Sequence, residues 1–274
     1  MANKKTATIL DGKKLATKIK LDLLRQIKKQ PTTPGLAAIL VGNDPASSMY
    51  LNLKEQACQE VGLNFHKYLC NQQCYPDISE AELIKLIDFL NQDEETNGII
   101  VQLPLPKKFK TQKIIDAISP AKDVDGFHPQ NNQIIPPTIV AVIELLKSTK
   151  EKLADKKTLI IGQSNVFVSG LEKFLKSKLK ITDIINRTTI PNDSNKYDIV
   201  IIALGQAGIL KKSMVKDGAI VIDIGINREG NKTVGDASPE VAEVAGYLSP
   251  VPGGVGPLTV ACLLRNTLLL SNTK

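Results

Sequence analysis

Short apolar runs alternate with helix-like segments along the first half of this chain, and this order is the strongest constraint on its fold. The run at 35–42, GLAAILVG, is uninterrupted and predicts a buried strand. Asp44 and Pro45 then supply a helix cap and a first-turn proline, and Gly62 ends the helix. Such alternation is typical of βαβ units, so we predict an α/β fold with a parallel sheet.

The rest of the first half continues this order. Residues 63–69 predict a second strand, and residues 79–92 predict a helix that opens with a capping box of Ser79 and Glu82. The segment NGIIVQLPLP at 97–106 predicts a third strand, which its two prolines end.

A polar, proline-rich stretch between Ser119 and Pro137 predicts the domain junction. Beyond it, a helix at 138–148 leads into a second alternating series that predicts a Rossmann-type nucleotide-binding domain. Its predicted elements are strands at 158–161, 181–185, 198–203 and 219–224 and a helix at about 167–178. The last predicted element is an apolar helix at 256–272.

Length and composition exclude several classes of protein. The 274 residues suffice for one large or two medium domains. No apolar run approaches the roughly 18 residues that span a bilayer, and the start of the chain has no signal-peptide pattern, so we expect no membrane partner and a cytoplasmic location. The four cysteines fit a reducing compartment better than a disulfide framework or a zinc site.

The net charge of +7, from 35 basic and 28 acidic residues, raises nucleic-acid binding as an alternative. The lysines are scattered, however, and aromatic residues make up only 4% of the chain. We therefore expect a solvated basic surface that favours a small polyanionic ligand, and no nucleic-acid partner.

Three stretches carry side chains suited to chemistry. Tyr50 and Lys54 lie four residues apart, so both project from one face of the helix. This face is apolar, and desolvation there lowers the pKa of a lysine. The alternative is that Lys54 reaches solvent and Tyr50 fills the core. Gln102 follows a parallel strand, where it either binds a ligand or caps the strand. In KDVDGFHP, Asp123 and Asp125 suit either a turn or a ligand-binding carboxylate, and the spacing predicts no metal site.

Two glycine-containing segments complete the set. SPVPGGVGPLT at 249–259 allows close approach of the backbone to a flat ligand, although such turns also occur without function. IIGQSNVF at 160–167 looks like a strand end, a glycine and a helix start, which is a weak nucleotide signal because the other fingerprint glycines are missing.

Together these stretches resemble one family, the bifunctional methylenetetrahydrofolate dehydrogenase/methenyltetrahydrofolate cyclohydrolases. The resemblance rests on VGNDPASSMYLNLKEQACQEVG, GIIVQLPLP, KDVDGFHPQN, GAIVIDIGIN and YLSPVPGGVGPLTVACLLRNT, in family order across nearly the whole chain. It implies oxidation of 5,10-methylenetetrahydrofolate with NADP or NAD, hydrolysis of the methenyl product to 10-formyltetrahydrofolate, and a homodimer. It also implies a folate-binding catalytic domain of residues 1–122 and 250–274, to which the carboxyl-terminal helix returns, and a Rossmann-type NAD(P)-binding domain of residues 138–249.

The resemblance also implies roles for single residues. Lys54 is the catalytic lysine, bonded to Gln102, and Tyr50 packs along the folate ring. Asp125 holds the pterin edge. The remaining residues implied for the folate are Pro252, Gly253, Gly254 and Val255, and those implied for the cofactor are Gly162, Gln163, Ser164, Asn186, Arg187 and Ile226.

The chain departs from the family pattern in the nucleotide turn, where the family's Gly-Arg-Ser is Gly162-Gln163-Ser164. Glutamine lacks the charge with which arginine binds a ribose phosphate, although Arg187 lies nearby in the sequence. We therefore predict a weakened NADP preference. The alternatives are a cyclohydrolase that has lost most dehydrogenase activity and a folate-binding protein without turnover.

Overall fold

The computed structural model describes residues 6–71, 74–75, 77–163, 165–176, 179–186 and 189–272. The chain divides into two compact units. One contains the residues up to Leu15 together with Thr138–Thr259, and we call it the nucleotide unit. The other contains Ala16–Pro137 and the residues from Val260 onward, and we call it the catalytic unit.

Seven helices and eleven strands occur in the described ranges. The helices are α1 (Gly12–Ile27), α2 (Pro45–Val61), α3 (Glu80–Gln92), α4 (Thr111–Ala117), α5 (Pro137–Ser148), α6 (Asn165–Leu175) and α7 (Val255–Ser271). The strands are β1 (Thr8–Ile9), β2 (Gly35–Val41), β3 (Asn64–Cys70), β4 (Thr96–Val101), β5 (Lys157–Gly162), β6 (Lys180–Asn186), β7 (Ile199–Ala203), β8 (Ile220–Asp223), β9 (Asn227–Glu229), β10 (Lys232–Val234) and β11 (Tyr247–Leu248).

The catalytic unit is built on a three-stranded parallel sheet in the order β3-β2-β4. Every residue of β2 is buried, because one hydrophobic cluster covers each face of the sheet. One cluster contains residues of α1, α2 and α7, and the other contains residues of α3 and α4. The central position of β2 explains its uninterrupted apolar run.

The nucleotide unit contains a six-stranded parallel sheet in the order β1-β11-β8-β7-β5-β6. The chain moves outward from β5 in both directions, to β6 on one side and to β7 and β8 on the other. In sheets of this kind, the carboxyl end of the strand at which the order reverses is where ligands bind. β9 and β10 form a separate antiparallel hairpin.

The predicted α/β class is confirmed, and each predicted strand coincides with an observed one. The units differ from the predicted domain bounds in three places. Residues up to Leu15 and residues 250–259 cluster with the nucleotide unit, and residues 123–137 cluster with the catalytic unit. β1 shows the reason for the first difference, since it pairs with β11 at the edge of the large sheet. Across the ranges that the structure describes, no helix has the length and apolarity of a membrane span.

Candidate functional site

Helix α2 positions the two candidate residues Tyr50 and Lys54. Asp44 caps the helix by accepting a hydrogen bond from the Ser47 backbone N–H at 2.7 Å, and Gly62 ends it in the left-handed conformation at φ 80°. Both candidate side chains are half-buried, one turn apart. The two caps fix where the helix begins and ends, and thereby where the lysine projects.

Lys54 is joined to the residue that follows β4. Its Nζ donates a 2.8 Å hydrogen bond to Gln102 Oε1, and Gln102 Nε2 donates a 2.8 Å bond to the carbonyl of Leu103. The Gln102 backbone N–H donates to the Ile39 carbonyl at 2.8 Å, so the residue is anchored to β2. Because a carbonyl accepts the amide N–H, the amide oxygen faces the lysine.

Burial shifts the pKa of Lys54, Asp125 and Tyr50 in the direction that favours the neutral form of each group. Burial lowers the pKa of Lys54, and the charges of Asp125 and Cys58 oppose part of this effect. Burial raises the pKa of Asp125 to about 6, while the Lys54 charge opposes the shift and Asp123 adds to it. Burial also raises the pKa of Tyr50. The shifts of Lys54 and Asp125 both move the pKa of the group toward neutral pH, which is the direction that proton exchange by an enzyme requires.

Asp123 and Asp125 have opposite surroundings although one residue separates them. The buried Asp123 carboxylate accepts backbone N–H bonds from Gly126 at 3.0 Å and His128 at 2.8 Å, and a 3.0 Å bond from Asn131 Nδ2. The Asp125 carboxylate accepts no hydrogen bond from the described residues. The Asp123 carboxylate therefore stabilises the loop in which it lies, whereas the Asp125 carboxylate retains its capacity to accept hydrogen bonds from a ligand.

The loop that carries Pro252, Gly253, Gly254 and Val255 belongs to the nucleotide unit. Gly253 has φ 113°, a conformation that favours glycine, and its carbonyl accepts a 3.0 Å bond from the Lys13 N–H. Pro252 is exposed, whereas the following three residues are buried. The structure places Lys54, Gln102 and Asp125 in the catalytic unit, whereas Pro252, Gly253, Gly254 and Val255 lie in the nucleotide unit.

The predicted cofactor turn lies between β5 and α6. A Cβ atom on Gly162 would lie 2.9 Å from Val168 Cγ2, so only glycine allows this close packing of helix on strand. Gln163 is exposed, and its Nε2 donates to the carbonyl of Leu204 after β7. This turn follows the strand at which the sheet order reverses, and it therefore has the glycine, the position and the following helix that a dinucleotide requires.

The structure describes the other predicted cofactor residues to different extents. Ile226 lies between β8 and β9 and is 49% exposed. Asn186 ends β6 beside Gly162, and its side chain lies outside the description. Ser164 and Arg187 lie outside the described residues.

Asp236 is a site component that the sequence analysis missed. Its buried carboxylate accepts backbone N–H bonds from Leu204 at 2.6 Å, Gly205 at 3.1 Å and Gln206 at 2.8 Å, and a 2.9 Å bond from Asn227 Nδ2. It thereby fixes the loop that Gln163 contacts. The only local signal in the sequence is the glycine before this aspartate, a pair that is also typical of ordinary turns.

Two family models match this chain. The catalytic-domain model of the tetrahydrofolate dehydrogenase/cyclohydrolases matches residues 10–125, and the NAD(P)-binding-domain model of the same family matches residues 136–274. The chain belongs to the tetrahydrofolate dehydrogenase/cyclohydrolase family. Within the described residues, no group of three or more His, Cys, Asp or Glu side chains is placed to hold a metal ion.

Individual family members are similar over nearly their whole length. The bifunctional protein FolD of Acetivibrio thermocellus is 41% identical over an alignment of 277 positions, which covers 96% of each chain. The structure of the bifunctional enzyme FolD from Campylobacter jejuni superposes with a TM-score of 0.91 at 38% identity, over 97% of this chain and 99% of that one. The Trypanosoma brucei enzyme, solved with NADP and an inhibitor, has a TM-score of 0.90 at 28% identity over 98% of each chain.

Proposed function

We propose that this protein oxidises 5,10-methylenetetrahydrofolate to 5,10-methenyltetrahydrofolate with NAD(P)+ and hydrolyses the product to 10-formyltetrahydrofolate. One observation carries the proposal beyond family membership: Lys54 Nζ is bonded at 2.8 Å to Gln102 Oε1 in surroundings that lower the lysine pKa. A lysine retained for surface charge would not be half-buried on an amide acceptor. This arrangement suits the hydrolytic step, which needs a proton acceptor.

In the first step, bound NAD(P)+ supplies the acceptor for the hydride that leaves the methylene carbon. The chain contributes binding and orientation to this step. Tyr50 offers its ring to the folate ring system, and the Asp125 carboxylate accepts hydrogen bonds from the N–H groups of the pterin edge. We assign a role in folate binding to Pro252, Gly253, Gly254 and Val255.

In the second step, water adds to the electrophilic bridging carbon of the methenyl cation and loses a proton. Neutral Lys54 accepts this proton, because its bond to Gln102 holds the amine in place while burial lowers its pKa. A ring C–N bond then breaks, with protonation of the departing nitrogen, to give the 10-formyl product. One water is consumed and one proton is released overall.

The cofactor would be held by the turn after β5 and by the neighbouring strand ends. We assign this role to Gly162, Gln163, Ser164, Asn186, Arg187 and Ile226. Since the exposed residue 163 is an uncharged glutamine, the 2′-phosphate of NADP loses one charged partner. We propose that NAD+ is accepted alongside NADP+.

We also propose a cytoplasmic homodimer. β6 lies at one edge of the six-stranded sheet in the described part of the chain, and its Ile184 side chain is 37% exposed. An edge strand with an exposed apolar side chain favours pairing with a second copy. All four cysteines are free thiols, which supports a reducing compartment.

The function is tested by following methenyltetrahydrofolate spectroscopically with purified protein, first during its formation from the methylene compound and then during its decay. Formation is assayed with NAD+ and with NADP+ in separate reactions at equal concentration, and decay is assayed without a cofactor. We expect formation with either cofactor and decay without any. Decay without formation would favour a cyclohydrolase that has lost its dehydrogenase step, and folate binding with neither reaction would favour a binding protein without turnover.

A further inference from the structure

One buried amide on the carboxyl-terminal helix joins both ends of the loop that carries Asp125. Asn266 lies on α7 with 6% of its surface exposed. Its Nδ2 donates to the Val124 carbonyl at 2.9 Å and to the Ile135 carbonyl at 3.1 Å. The two N–H groups of one side chain thus hold two carbonyls that are eleven positions apart in the sequence.

The loop between these carbonyls is internally bonded. Asn131 Nδ2 donates to the Asp123 backbone carbonyl at 2.8 Å and to its carboxylate at 3.0 Å. Asn131 Oδ1 in turn accepts the Ile134 N–H at 3.0 Å. The loop therefore moves largely as one body, and its orientation depends on the few bonds that attach it to the rest of the unit.

Packing leaves Val124 little freedom beside Asn266. The Val124 side chain is fully buried, and a Cβ atom on Gly98 of β4 would lie 2.5 Å from its Cγ1. The same Cβ atom would lie 3.3 Å from Thr267 Oγ1 on α7. Strand, loop and helix are therefore in close contact at the residue that precedes Asp125, and a shift of Val124 would displace Asp125 with it.

We propose that Asn266 is a positioning residue of the folate site. It holds the Val124 carbonyl, and so the backbone of the following Asp125, in the position that keeps the carboxylate available to the pterin edge. This inference rests on the proposed function. Asn266 touches no reacting atom in this scheme, and it acts only through Asp125.

The test is a double-mutant cycle read by calorimetric titration with tetrahydrofolate. Asn266→Leu keeps the side-chain volume and removes both donors. We expect it to weaken folate binding by about 10-fold, since small displacements of binding groups are costly. In an Asp125→Asn background, the same substitution should change the affinity less than about 2-fold, because residues that act through one another are not additive. An equal loss in both backgrounds would overturn the proposal.

A matched control separates positioning from general loss of stability. Leu83→Ala removes a buried side chain from α3 in the opposite core cluster of the same unit. At comparable loss of unfolding free energy, we expect Leu83→Ala to leave folate affinity unchanged. If it weakens folate binding as much as Asn266→Leu, destabilisation alone explains the effect and the proposal fails.

Two further measurements keep the test decisive. If Asn266→Leu does not fold, Asn266→Ser, which retains one donor, is carried through the same cycle with the same criteria. If Asp125→Asn binds too little folate to titrate, hydrogen exchange of the Gly126 and His128 amides decides. Faster exchange in the Asn266 variant than in Leu83→Ala supports the proposal, and equal exchange overturns it. Absence of folate binding by the wild type would instead reject the proposed function.

Discussion

Gln102 holds Lys54 through its amide oxygen, which accepts the 2.8 Å bond from Nζ, while its amide nitrogen donates to the Leu103 carbonyl. The second bond determines the first, because it leaves only the oxygen to face the lysine. The lysine is therefore oriented by a neutral acceptor. A neutral partner does not favour the ammonium form as strongly as a carboxylate would, which leaves the lysine able to exchange protons.

Lys54→Met should remove most of the hydrolytic activity. The methionine keeps much of the side-chain volume and cannot accept a proton, so we expect methenyltetrahydrofolate decay to slow by about 100-fold or more. NAD(P)+ binding should not change. The decay is measured by absorbance beside Lys113→Met, which removes an exposed lysine paired with Glu80. A Lys54→Met enzyme with wild-type decay would show that another group accepts the proton.

Gln102→Glu should displace the pH profile of the same step. A carboxylate in place of the amide favours the charged ammonium and raises the Lys54 pKa. Because the neutral amine is the active form, the rate should fall at neutral pH and recover only at higher pH. The matched variant Gln102→Leu removes the acceptor without adding charge, so it should lower the rate without an alkaline displacement. Identical profiles for both variants would contradict this account.

Local patterns predicted much of the fold and part of the site. The β2 run and the caps of α2 were recognisable because burial and capping are properties of neighbouring residues. The Lys54–Gln102 bond joins residues 48 positions apart, and it came from the family resemblance, since no local pattern shows it. β1 escaped prediction because its two residues are strand only through pairing with β11. The roles of Asn266 and Asp236 likewise depend on which distant backbone groups the fold brings to them.

Asp125→Asn should make the protein more stable while weakening its binding of folate. The pKa of Asp125 is about 6 in the folded protein and 3.8 ordinarily, so the folded state binds this proton more tightly than the unfolded chain does. The stability that proton binding contributes is fully present below about pH 3.8 and is lost as pH rises through about 6. Asparagine avoids this loss. We expect the free energy of unfolding at pH 7 to rise by on the order of 1 kcal/mol, with the difference vanishing near pH 4. Denaturant titration at both pH values checks this.

Asp223→Asn should have the opposite effect although burial also raises the Asp223 pKa to about 6. Its two carboxylate oxygens accept backbone N–H bonds from Gly225 at 2.9 Å, Asp236 at 3.1 Å and Ala237 at 2.8 Å. In asparagine, an amide nitrogen replaces one of these two oxygens and would face a backbone N–H donor. The unsatisfied donor costs about 1–3 kcal/mol of stability. The same denaturant titration should show a loss of stability at pH 7. A gain of stability in both variants would mean that burial alone determines how these two carboxylates affect the free energy of unfolding.

Gly162→Ala should weaken NAD(P)+ binding without affecting folate binding. The added methyl group would lie 2.9 Å from Val168 Cγ2 and push α6 away from β5. We expect about a 10-fold loss of cofactor affinity, partly restored by adding Val168→Ala, because displaced binding groups lose affinity steeply. Calorimetric titration measures both variants beside Gly170→Ala, where the new methyl group meets only the movable Ile139 Cδ1. Failure of Val168→Ala to restore any affinity would reject the packing explanation.

Gln163→Arg should shift the enzyme toward NADP+. Residue 163 is exposed at the turn after β5, and an arginine there offers a planar, charged fork to the 2′-phosphate that glutamine cannot match. We expect the ratio of kcat/KM for NADP+ to that for NAD+ to rise by about 10-fold, since a charge-assisted hydrogen bond contributes roughly 1.5–3 kcal/mol. Gln163→Met is the control, because it removes the bond to the Leu204 carbonyl without adding charge. If both variants change the ratio alike, the turn affects specificity through its conformation, and charge at residue 163 does not determine the choice of cofactor.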